Sequence, residues 1–303
     1  MSQKISAELL SLLDSHGIEY KLDLPIAEKS SFKIGGRVAL SLFPRTSEQL
    51  IEAVRLLLKE SIKFEVIGNA SNILFAFDFY SGAFIFTSLL SSLTVSESKI
   101  VCGAGVSLSH LSNVAAQNSL SGLEFAFGIP ALVGGAVYMN AGAYDSQMSD
   151  IVEYTVAYDI KNDVIREIYD NGFGYRTSRY EKDHNLICLG ASLLLLPADQ
   201  AEIKAKMAQN IASRREKQPL EYPSAGSYFK RPDGYFAAKL IDDCGLKGLQ
   251  VGGAEVSVKH AGFIINTGNA TYSDVLSLEE KIKEKVYSDF GVSLEREVRV
   301  ITD

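Results

Sequence analysis

Three polar residues lie in loops or at strand ends where composition alone does not explain them: Arg176 in YRTS, Ser227 in SAGSYFK and Glu297 in LEREVRVI. A fixed guanidinium can pair with a carboxylate, and a glycine before a serine can expose the hydroxyl. Arg176 and Glu297 also have ordinary explanations, as a surface arginine and a strand-end carboxylate. Neither GxSxG nor SxxK surrounds Ser227, so a hydrolase nucleophile is poorly supported. The spacing of the three residues selects no reaction by itself.

Residues 122–144, GLEFAFGIPALVGGAVYMNAGAY, carry no charge after Glu124, although 22% of the chain is charged. A run this apolar raises the question of a membrane span. The residues that interrupt it argue against a span, because unpaired backbone groups are costly in lipid. They are Pro130, Gly134, Gly135, Asn140 and Gly142. Small residues with exposed N–H groups can instead bind phosphate. These residues therefore support two interpretations equally well: a buried core helix, and a backbone binding site for an anionic cofactor.

Two shorter glycine-marked turns follow predicted strands. GNASN, residues 68–72, follows the strand pattern Phe64–Ile67, and Gly103 and Gly105 precede a helix that Ser107 can cap. GNASN is not GxGxxG, so the Rossmann fingerprint is absent. GNASN could offer donors to a phosphate, but taken alone it is more typical of an ordinary Asn/Ser turn.

Composition disfavours several classes of protein. The net charge of −7 over 303 residues disfavours non-specific nucleic-acid binding. The N-terminal MSQKISAELLSLLDSHG lacks the apolar core of a signal peptide. The cysteines are odd in number and scattered, so reduced thiols are expected. The histidines show no HxxxH or HxH spacing, so no metal site is expected. The cysteines and histidines are Cys102, Cys188, Cys244, His16, His110, His184 and His260. These features favour a cytoplasmic protein that needs an organic cofactor or none.

Hydrophobic periodicity predicts an α+β fold in about three subdomains. A helix after the capping residue Thr46 lies between strand patterns at 38–43 and 64–67, which predicts a βαβ unit with a parallel pair. A hairpin is expected around Asn162 and Asp163, and a long helix over residues 198–217. Pro219 and Pro223 then indicate a domain boundary.

Seven motifs occur in order along the chain: SFKIGG, IGNASN, GIPALVGGAVYMNAGAY, YRTS, PSAGSYFK, GLKG and LEREVRVI. Together, from about residue 30 to residue 301, they resemble the UDP-N-acetylenolpyruvoylglucosamine reductase family. The resemblance implies an FAD-binding unit of the vanillyl-alcohol-oxidase (PCMH) type in two subdomains, residues 1–88 and 89–217. Residues 218–291 would form an α+β substrate-binding domain, and residues 292–303 would return to the first subdomain. The short run from 178 to 186 is similar to the subclass that has a short substrate loop.

The same resemblance implies the binding residues. FAD, held non-covalently, would contact Gly68, Asn69, Ala70, Ser71, Asn72, Gly103, Gly105, Gly128, Ile129, Pro130, Gly134, Gly135, Asn140, Ala141, Gly142 and Tyr144. The substrate would contact Tyr175, Lys217, Lys230 and Arg231. NADPH would be the reductant, UDP-N-acetylglucosamine enolpyruvate the substrate, and the chain a cytoplasmic monomer without metal, nucleic acid or membrane span.

The family reaction has two half-reactions: NADPH reduces FAD, and reduced flavin then gives hydride to the enolpyruvyl group. By motif, Arg176 would stabilise the substrate carboxylate, Glu297 would support that charge network, and Ser227 would protonate carbon 2. This makes the chain a flavin-dependent oxidoreductase of peptidoglycan precursor synthesis. The alternatives are an FAD-dependent oxidase of the same superfamily and a catalytically silent UDP-sugar-binding protein.

Five residues depart from the family pattern: Ala70, Ala131, Asp145, Arg231 and Gly262. The first three stand where glycine is usual, and the last two where asparagine is usual. Alanine in place of glycine is harmless at negative φ and costs energy at positive φ. An inward-pointing Asp145 would repel a pyrophosphate, and Arg231 would alter how the uridine or diphosphate is held.

Overall fold

Helix starts coincide with side chains that can cap them. Ser6, Thr46, Ser107 and Thr271 each accept a hydrogen bond from the backbone N–H three residues later, which satisfies a donor that the helix leaves unpaired. The computed structural model describes residues 5–303. Its helices are α1 (Ala7–Ser15), α2 (Ser47–Lys59), α3 (Leu108–Gln117), α4 (Val133–Tyr138), α5 (Arg179–Lys182), α6 (Gln200–Lys217), α7 (Ala237–Asp243) and α8 (Tyr272–Phe290).

The strands are short and numerous. They are β1 (Glu19–Pro25), β2 (Arg37–Phe43), β3 (Phe64–Ile67), β4 (Ile73–Phe75), β5 (Phe79–Phe86), β6 (Leu93–Ser96), β7 (Lys99–Gly103), β8 (Leu120–Ser121), β9 (Gly142–Ala143), β10 (Ser146–Gln147), β11 (Val152–Asp159), β12 (Val164–Ile168), β13 (Leu186–Leu194), β14 (Leu196–Pro197), β15 (Ser224–Ser227), β16 (Gln250–Val251), β17 (Ala254–Val256), β18 (Phe263–Asn266) and β19 (Arg299–Ile301). Turns Ile26–Glu28 and Met148–Asp150 are 3₁₀-helical.

The chain divides into two units. Unit 1 holds the residues up to Leu22, together with Leu40–Asn69 and Gly82–Ser213. Unit 2 holds Asp23–Ala39, Ala70–Ser81 and Arg214–Asp303.

In unit 1, α1 and α2 share one apolar core. Leu9, Leu13, Leu50 and Leu57 are fully buried there with Ile85 of β5. Full burial of a leucine side chain contributes about 1.5–3 kcal/mol relative to leaving it exposed. The core therefore holds the helices against β5, the strand that pairs with β3.

The expected pairing of β2 with β3 is wrong. The strand order is β1-β2-β5-β3, so β5 lies between them. β3 instead runs parallel to β5, with Phe64 opposite Ala83 and Ile67 opposite Phe86. A strand–helix–strand sequence predicts the helical crossover, but it does not show that a later strand inserts between the two strands. The loop GNASN still begins directly after β3, as expected.

The second sheet of unit 1 has the order β12-β11-β13-β7-β6 and is antiparallel. The predicted hairpin is present, with Asp159 paired to Val164 on either side of its turn. A second core lies against this sheet and contains Leu108 and Leu111 of α3 with Val133 and Val137 of α4. The sheet and α3 therefore support the short helix in the central apolar segment.

Unit 2 contains the sheet β15-β18-β17-β16 and the long helix α8. A capping box between Thr271 and Asp274 starts α8, and Gly291 ends it at φ +67°. Val275, Leu278 and Ile282 of α8 are fully buried in the core of this unit. β19 runs parallel to β4, with Val300 opposite Leu74.

None of the helices within residues 5–303 combines the length and the apolar character that crossing a bilayer requires. The same residues contain no group of three or more His, Cys, Asp and Glu side chains arranged to hold a metal ion.

Candidate active site

The central apolar segment forms only one short helix. Leu132 precedes α4, whose first backbone N–H groups are already used: Val133 N donates to Val106 O and Gly134 N to Ala104 O, both at 2.9 Å. A Cβ on Gly134 would lie 2.9 Å from that of Ala104. Gly134 therefore allows the backbone to pack closely against the loop after β7.

Other glycines of the predicted cofactor site also have a packing role. A Cβ on Gly103 would lie 2.3 Å from Leu90 O, and one on Gly105 would lie 2.1 Å from Thr87 O. No side chain fits at such distances. These two glycines are therefore required by the loop after β5, whether or not a ligand approaches them.

Gly68 and Gly135 are different, because a Cβ at either position would meet no atom closer than 3.9 Å within unit 1. A Cβ on Gly135 would meet no atom within 4 Å. One on Gly68 would approach only Gly135 N and the Leu132 side chain, each at 3.9 Å. Asn69 Nδ2 donates to Pro130 O at 2.8 Å and so joins the GNASN turn to the central segment. The two glycines thus border a space that a side chain at either position would fill, which fits the approach of an anionic cofactor to the backbone.

Asn140 connects the central segment to the YRTS loop. Its side chain is 1% exposed and its φ is +43°. Nδ2 donates to Gly174 O at 3.0 Å, and Oδ1 accepts from Ser149 N at 2.9 Å. Buried amides need such partners, because an unpaired one costs about 1–3 kcal/mol. The sequence had indicated Asn140 only as a helix-interrupting residue and a cofactor contact.

Arg176 lies beside the β9–β10 hairpin. Its Nη2 donates to Gly142 O at 2.9 Å, and its guanidinium stands 5.2 Å from the ring centroid of Tyr175. Its own φ is +54°, a left-handed conformation that costs a residue with a side chain roughly 1–2 kcal/mol. The loop therefore holds this arginine in a specific orientation next to the central segment.

Ser227 and Glu297 lie on neighbouring segments of unit 2. Ser227 ends β15, is exposed, and follows Gly226 at φ +80°. Glu297 N donates to Tyr228 O at 2.9 Å, so the segment that carries Glu297 runs directly beside the residue after Ser227. Asn72 Nδ2 donates to Glu297 O at 3.1 Å, a contact that nothing in the sequence indicated. The segments that carry two of the three predicted catalytic residues are therefore neighbours within this unit, and Arg176 belongs to unit 1.

The predicted substrate contacts differ in their surroundings. Lys230 Nζ lies 2.5 Å from Glu295 Oε1, and the Arg231 guanidinium stacks 4.0 Å over the ring of Phe236. Lys217 is the last residue of α6, and the Tyr175 side chain is half exposed. Arg231, where the family resemblance implies an asparagine, therefore forms a cation–π pair with Phe236.

The buried cysteines carry no reactive thiolate. Burial raises the pKa of the Cys102 and Cys188 thiols to about 12. Burial likewise lowers the pKa of His260, whose Nδ1 accepts from Gly262 N at 3.1 Å. The expectation that the cysteines are apolar core residues agrees with this environment for these two.

Comparison with known proteins relates this geometry to a family. The model of the UDP-N-acetylenolpyruvoylglucosamine reductase C-terminal domain matches residues 218–301, and that of an FAD binding domain matches residues 38–163. The reductase of that name from Caldicellulosiruptor bescii is 46% identical over 95% of this chain and 93% of its own length. The chain belongs to the UDP-N-acetylenolpyruvoylglucosamine reductase family. The relative from Fervidobacterium nodosum is 42% identical over 99% of this chain and 97% of its own length.

A solved structure supports the assignment. The crystal structure of UDP-N-acetylenolpyruvylglucosamine reductase from Thermus caldophilus superposes with a TM-score of 0.80, at 33% identity, over 94% of this chain and 99% of that one. The family assignment, the α+β fold class, FAD as cofactor and the nature of the chain as a flavin-dependent oxidoreductase are thereby confirmed.

The matched ranges divide the predicted site residues. GNASN and the central segment fall within the FAD-binding match, and Ser227 and Glu297 fall within the C-terminal match. Arg176 lies between the two ranges. The role of each residue, the individual cofactor contacts and the three subdomain boundaries stay predictions.

Proposed function

We propose that this reductase uses NADPH to convert UDP-N-acetylglucosamine enolpyruvate to UDP-N-acetylmuramate, as a cytoplasmic monomer in peptidoglycan precursor synthesis. The observation that carries the proposal is the placement of Ser227 beside the segment of Glu297, joined by the bond from Glu297 N to Tyr228 O at 2.9 Å. The names of relatives 40–46% identical to this chain support the substrate.

Bound FAD supplies hydride transfer, from NADPH to carbon 3 of the enolpyruvyl group. The chain itself would bind the substrate, stabilise its developing charge and deliver a proton. Gly68 and Gly135, where an added Cβ would meet no atom closer than 3.9 Å, would let the cofactor diphosphate approach backbone N–H groups.

Hydride addition at carbon 3 moves negative charge onto carbon 2 and its carboxylate. Arg176 suits this charge because its planar fork of donors matches a carboxylate. Glu297 would help to hold the network around that group. Ser227 would give the hydroxyl proton to carbon 2, a task a weak acid performs only for a strongly basic carbanion. This assigns one step to each of the three residues.

The test is to purify the full chain, record its flavin absorbance, and follow NADPH oxidation with the enolpyruvyl substrate. The proposal expects a flavoprotein whose NADPH consumption depends on that substrate. Turnover with oxygen and a hydroxylated substrate, without NADPH, would show an oxidase instead. Binding of a UDP-sugar without flavin absorbance would show a silent binding protein.

A further inference from the structure

Helix α8 buries a carboxylate in the core of unit 2. Glu279 is 0% exposed and lies among the fully buried Val275, Leu278 and Ile282. Taking an ion out of water costs several kcal/mol unless partners compensate for the lost hydration. The position follows the apolar spacing of the helix, so a leucine or isoleucine would be expected there. Apolar packing therefore does not account for a glutamate at this buried position.

Two cationic groups and one hydroxyl group compensate the lost hydration of the Glu279 carboxylate. Tyr228 Oη and Arg296 Nε each donate to its Oε2 at 2.8 Å. Lys283 Nζ lies 2.5 Å from Oε1, as an ion pair. Tyr228 is itself 1% exposed, so its hydroxyl depends on this carboxylate as its partner. A single buried side chain thus connects α8 to two other segments of the unit.

Both connected segments carry a predicted catalytic residue. Tyr228 directly follows Ser227, and Arg296 directly precedes Glu297. The backbones of the two segments are also paired, through the bond from Glu297 N to Tyr228 O and a β-bridge between Phe229 and Arg296. Glu279 therefore binds the nearest neighbours of Ser227 and Glu297 at the point where their segments meet.

The contact between Tyr228 and Glu279 also affects the neighbouring Ser227. In extended chain, successive side chains point to opposite faces. When Tyr228 turns inward to Glu279, Ser227 is directed away from the core, and Ser227 is indeed exposed whereas Tyr228 is buried. The hydrogen bond of Tyr228 to Glu279 thus restrains the backbone from which the Ser227 side chain projects.

We propose that Glu279 is a positioning residue, which fixes the orientation of Ser227 and Glu297 by binding Tyr228 and Arg296. The inference rests on the proposed function, since it concerns the step in which substrate is protonated. A positioning residue touches neither substrate nor cofactor. Its loss should therefore affect the substrate half-reaction and leave the reduction of flavin by NADPH unaffected.

The first test compares Glu279→Gln with Glu280→Gln in the FAD-loaded full chain. Glu280 is next on the same helix, has a 65% exposed side chain and lies 3.8 Å from Lys283 in a long ion pair. We expect Glu279→Gln to slow reoxidation of the flavin by substrate about 10–100-fold, because small misplacements of reacting groups have effects of that size. Reduction by NADPH should stay within about 2-fold of wild type, and Glu280→Gln should leave both rates unchanged.

The second test places Glu279→Gln in a Ser227→Ala background. If Glu279 acts through Ser227, Glu279→Gln should slow reoxidation of the flavin much less once the Ser227 hydroxyl has been removed. The two reductions in rate should then not multiply. If Glu279→Gln does not fold, Tyr228→Phe removes one of the hydrogen bonds and keeps the buried ring. It should slow reoxidation alone, by a smaller factor.

Equal slowing of both half-reactions, or losses that multiply in the double variant, would assign Glu279 to stability alone and overturn the inference. Reoxidation at the wild-type rate in Glu279→Gln would overturn it as well. These outcomes differ from failure of the proposed function, in which the unmodified chain does not oxidise NADPH in the presence of the enolpyruvyl substrate.

Discussion

Arg176 Nη2 donates a hydrogen bond of 2.9 Å to the carbonyl oxygen of Gly142. Gly142 begins the β9–β10 hairpin of the central apolar segment, so the predicted carboxylate-binding arginine is held by the segment that was expected to bind FAD. A Cβ on Gly142 would lie 2.7 Å from Gln147 Cβ, which makes glycine necessary in this hairpin. The position of the arginine thus depends on the fold of that segment.

Arg176→Lys should impair the substrate half-reaction. Lysine keeps the positive charge but not the fork that can hold both Gly142 O and a carboxylate. Removing a charge-stabilising donor typically costs about 10²–10³-fold in rate, and we expect reoxidation of flavin by substrate to fall at least about 10²-fold. Stopped-flow absorbance measures both half-reactions. Arg179→Lys, at an exposed ion pair with Asp170, is the matched control; comparable effects of the two variants would contradict the role of Arg176.

Ser227→Ala should separate the half-reactions as well. General acid catalysis typically contributes about 10²–10⁴-fold, so reoxidation by substrate should slow by about that factor while NADPH still reduces the flavin normally. Rapid-mixing kinetics with each reactant in turn gives the two rates. Ser288→Ala, at an exposed position of α8, should change neither. An equal loss in both half-reactions would remove Ser227 from its predicted role as proton donor.

Replacing Ala70 and Ala131 by glycine, the residue that the family resemblance implies at both positions, should have opposite effects on stability. Ala70 has φ +48°, whereas Ala131 is not among the left-handed residues in the part of the chain that the structure describes. An alanine in the left-handed conformation loses roughly 1–2 kcal/mol of stability. At negative φ, a glycine is less stable than an alanine by about 0.5–1 kcal/mol, because glycine loses more conformational freedom on folding. Ala70→Gly should therefore raise the free energy of unfolding by about 0.5–1 kcal/mol, and Ala131→Gly should lower it by about as much. Chemical denaturation at a fixed saturating FAD concentration measures both; a shift of the same sign in the two variants would contradict the strain at Ala70.

These alanines show what the sequence could and could not predict. Side chains that act locally were predictable, since Thr46, Ser107 and Thr271 cap helices through bonds that span three residues. The sign of φ at Ala70 was not, because it depends on the path of the whole turn. The packing role of Gly134 was not predictable for a similar reason. Its packing partner, Ala104, lies 30 positions earlier in the chain (134 minus 104).

Asp145 illustrates the same limit at the central segment. It was expected to repel a pyrophosphate if it pointed inward, and the structure places it in the tight turn between β9 and β10. Tyr144 and Asp145 have φ values of +53° and +60°, the pattern of a type I′ hairpin turn. That conformation favours glycine, as the family resemblance implies for this position, and Asp145 is exposed. Glu279 was missed although its spacing from Val275 and Ile282 placed it on the buried face of α8.

Stability should depend on pH through Glu279. Burial alone would raise the pKa of this carboxyl, but the hydrogen bonds and charges of Arg296, Lys283 and Tyr228 outweigh it and hold the pKa below its ordinary 4.5. A carboxyl whose folded pKa is lowered adds stability above its unfolded pKa, and that stability is lost as the pH falls through the folded value. Denaturation midpoints measured from about pH 6 down to about pH 3 should therefore fall less steeply for Glu279→Gln than for wild type. Glu280→Gln should follow wild type, and parallel curves for Glu279→Gln and wild type would refute the linkage.

FAD should be bound without a covalent link. The turn GNASN and the segment 122–144 contain no histidine or cysteine that could attach to the flavin. Cys102 adjoins the glycine-marked turn after β7, but its Sγ is buried and lies 3.7 Å from Ala191 O as a donor. Because burial raises the pKa of this thiol to about 12, it stays neutral near pH 7 and is a poor nucleophile. Acid precipitation of the purified chain should therefore leave the yellow flavin in the supernatant, and Cys102→Ala should bind and release FAD as wild type does. Yellow colour that stays with the precipitated wild type and is lost in Cys102→Ala would instead identify a cysteinyl flavin.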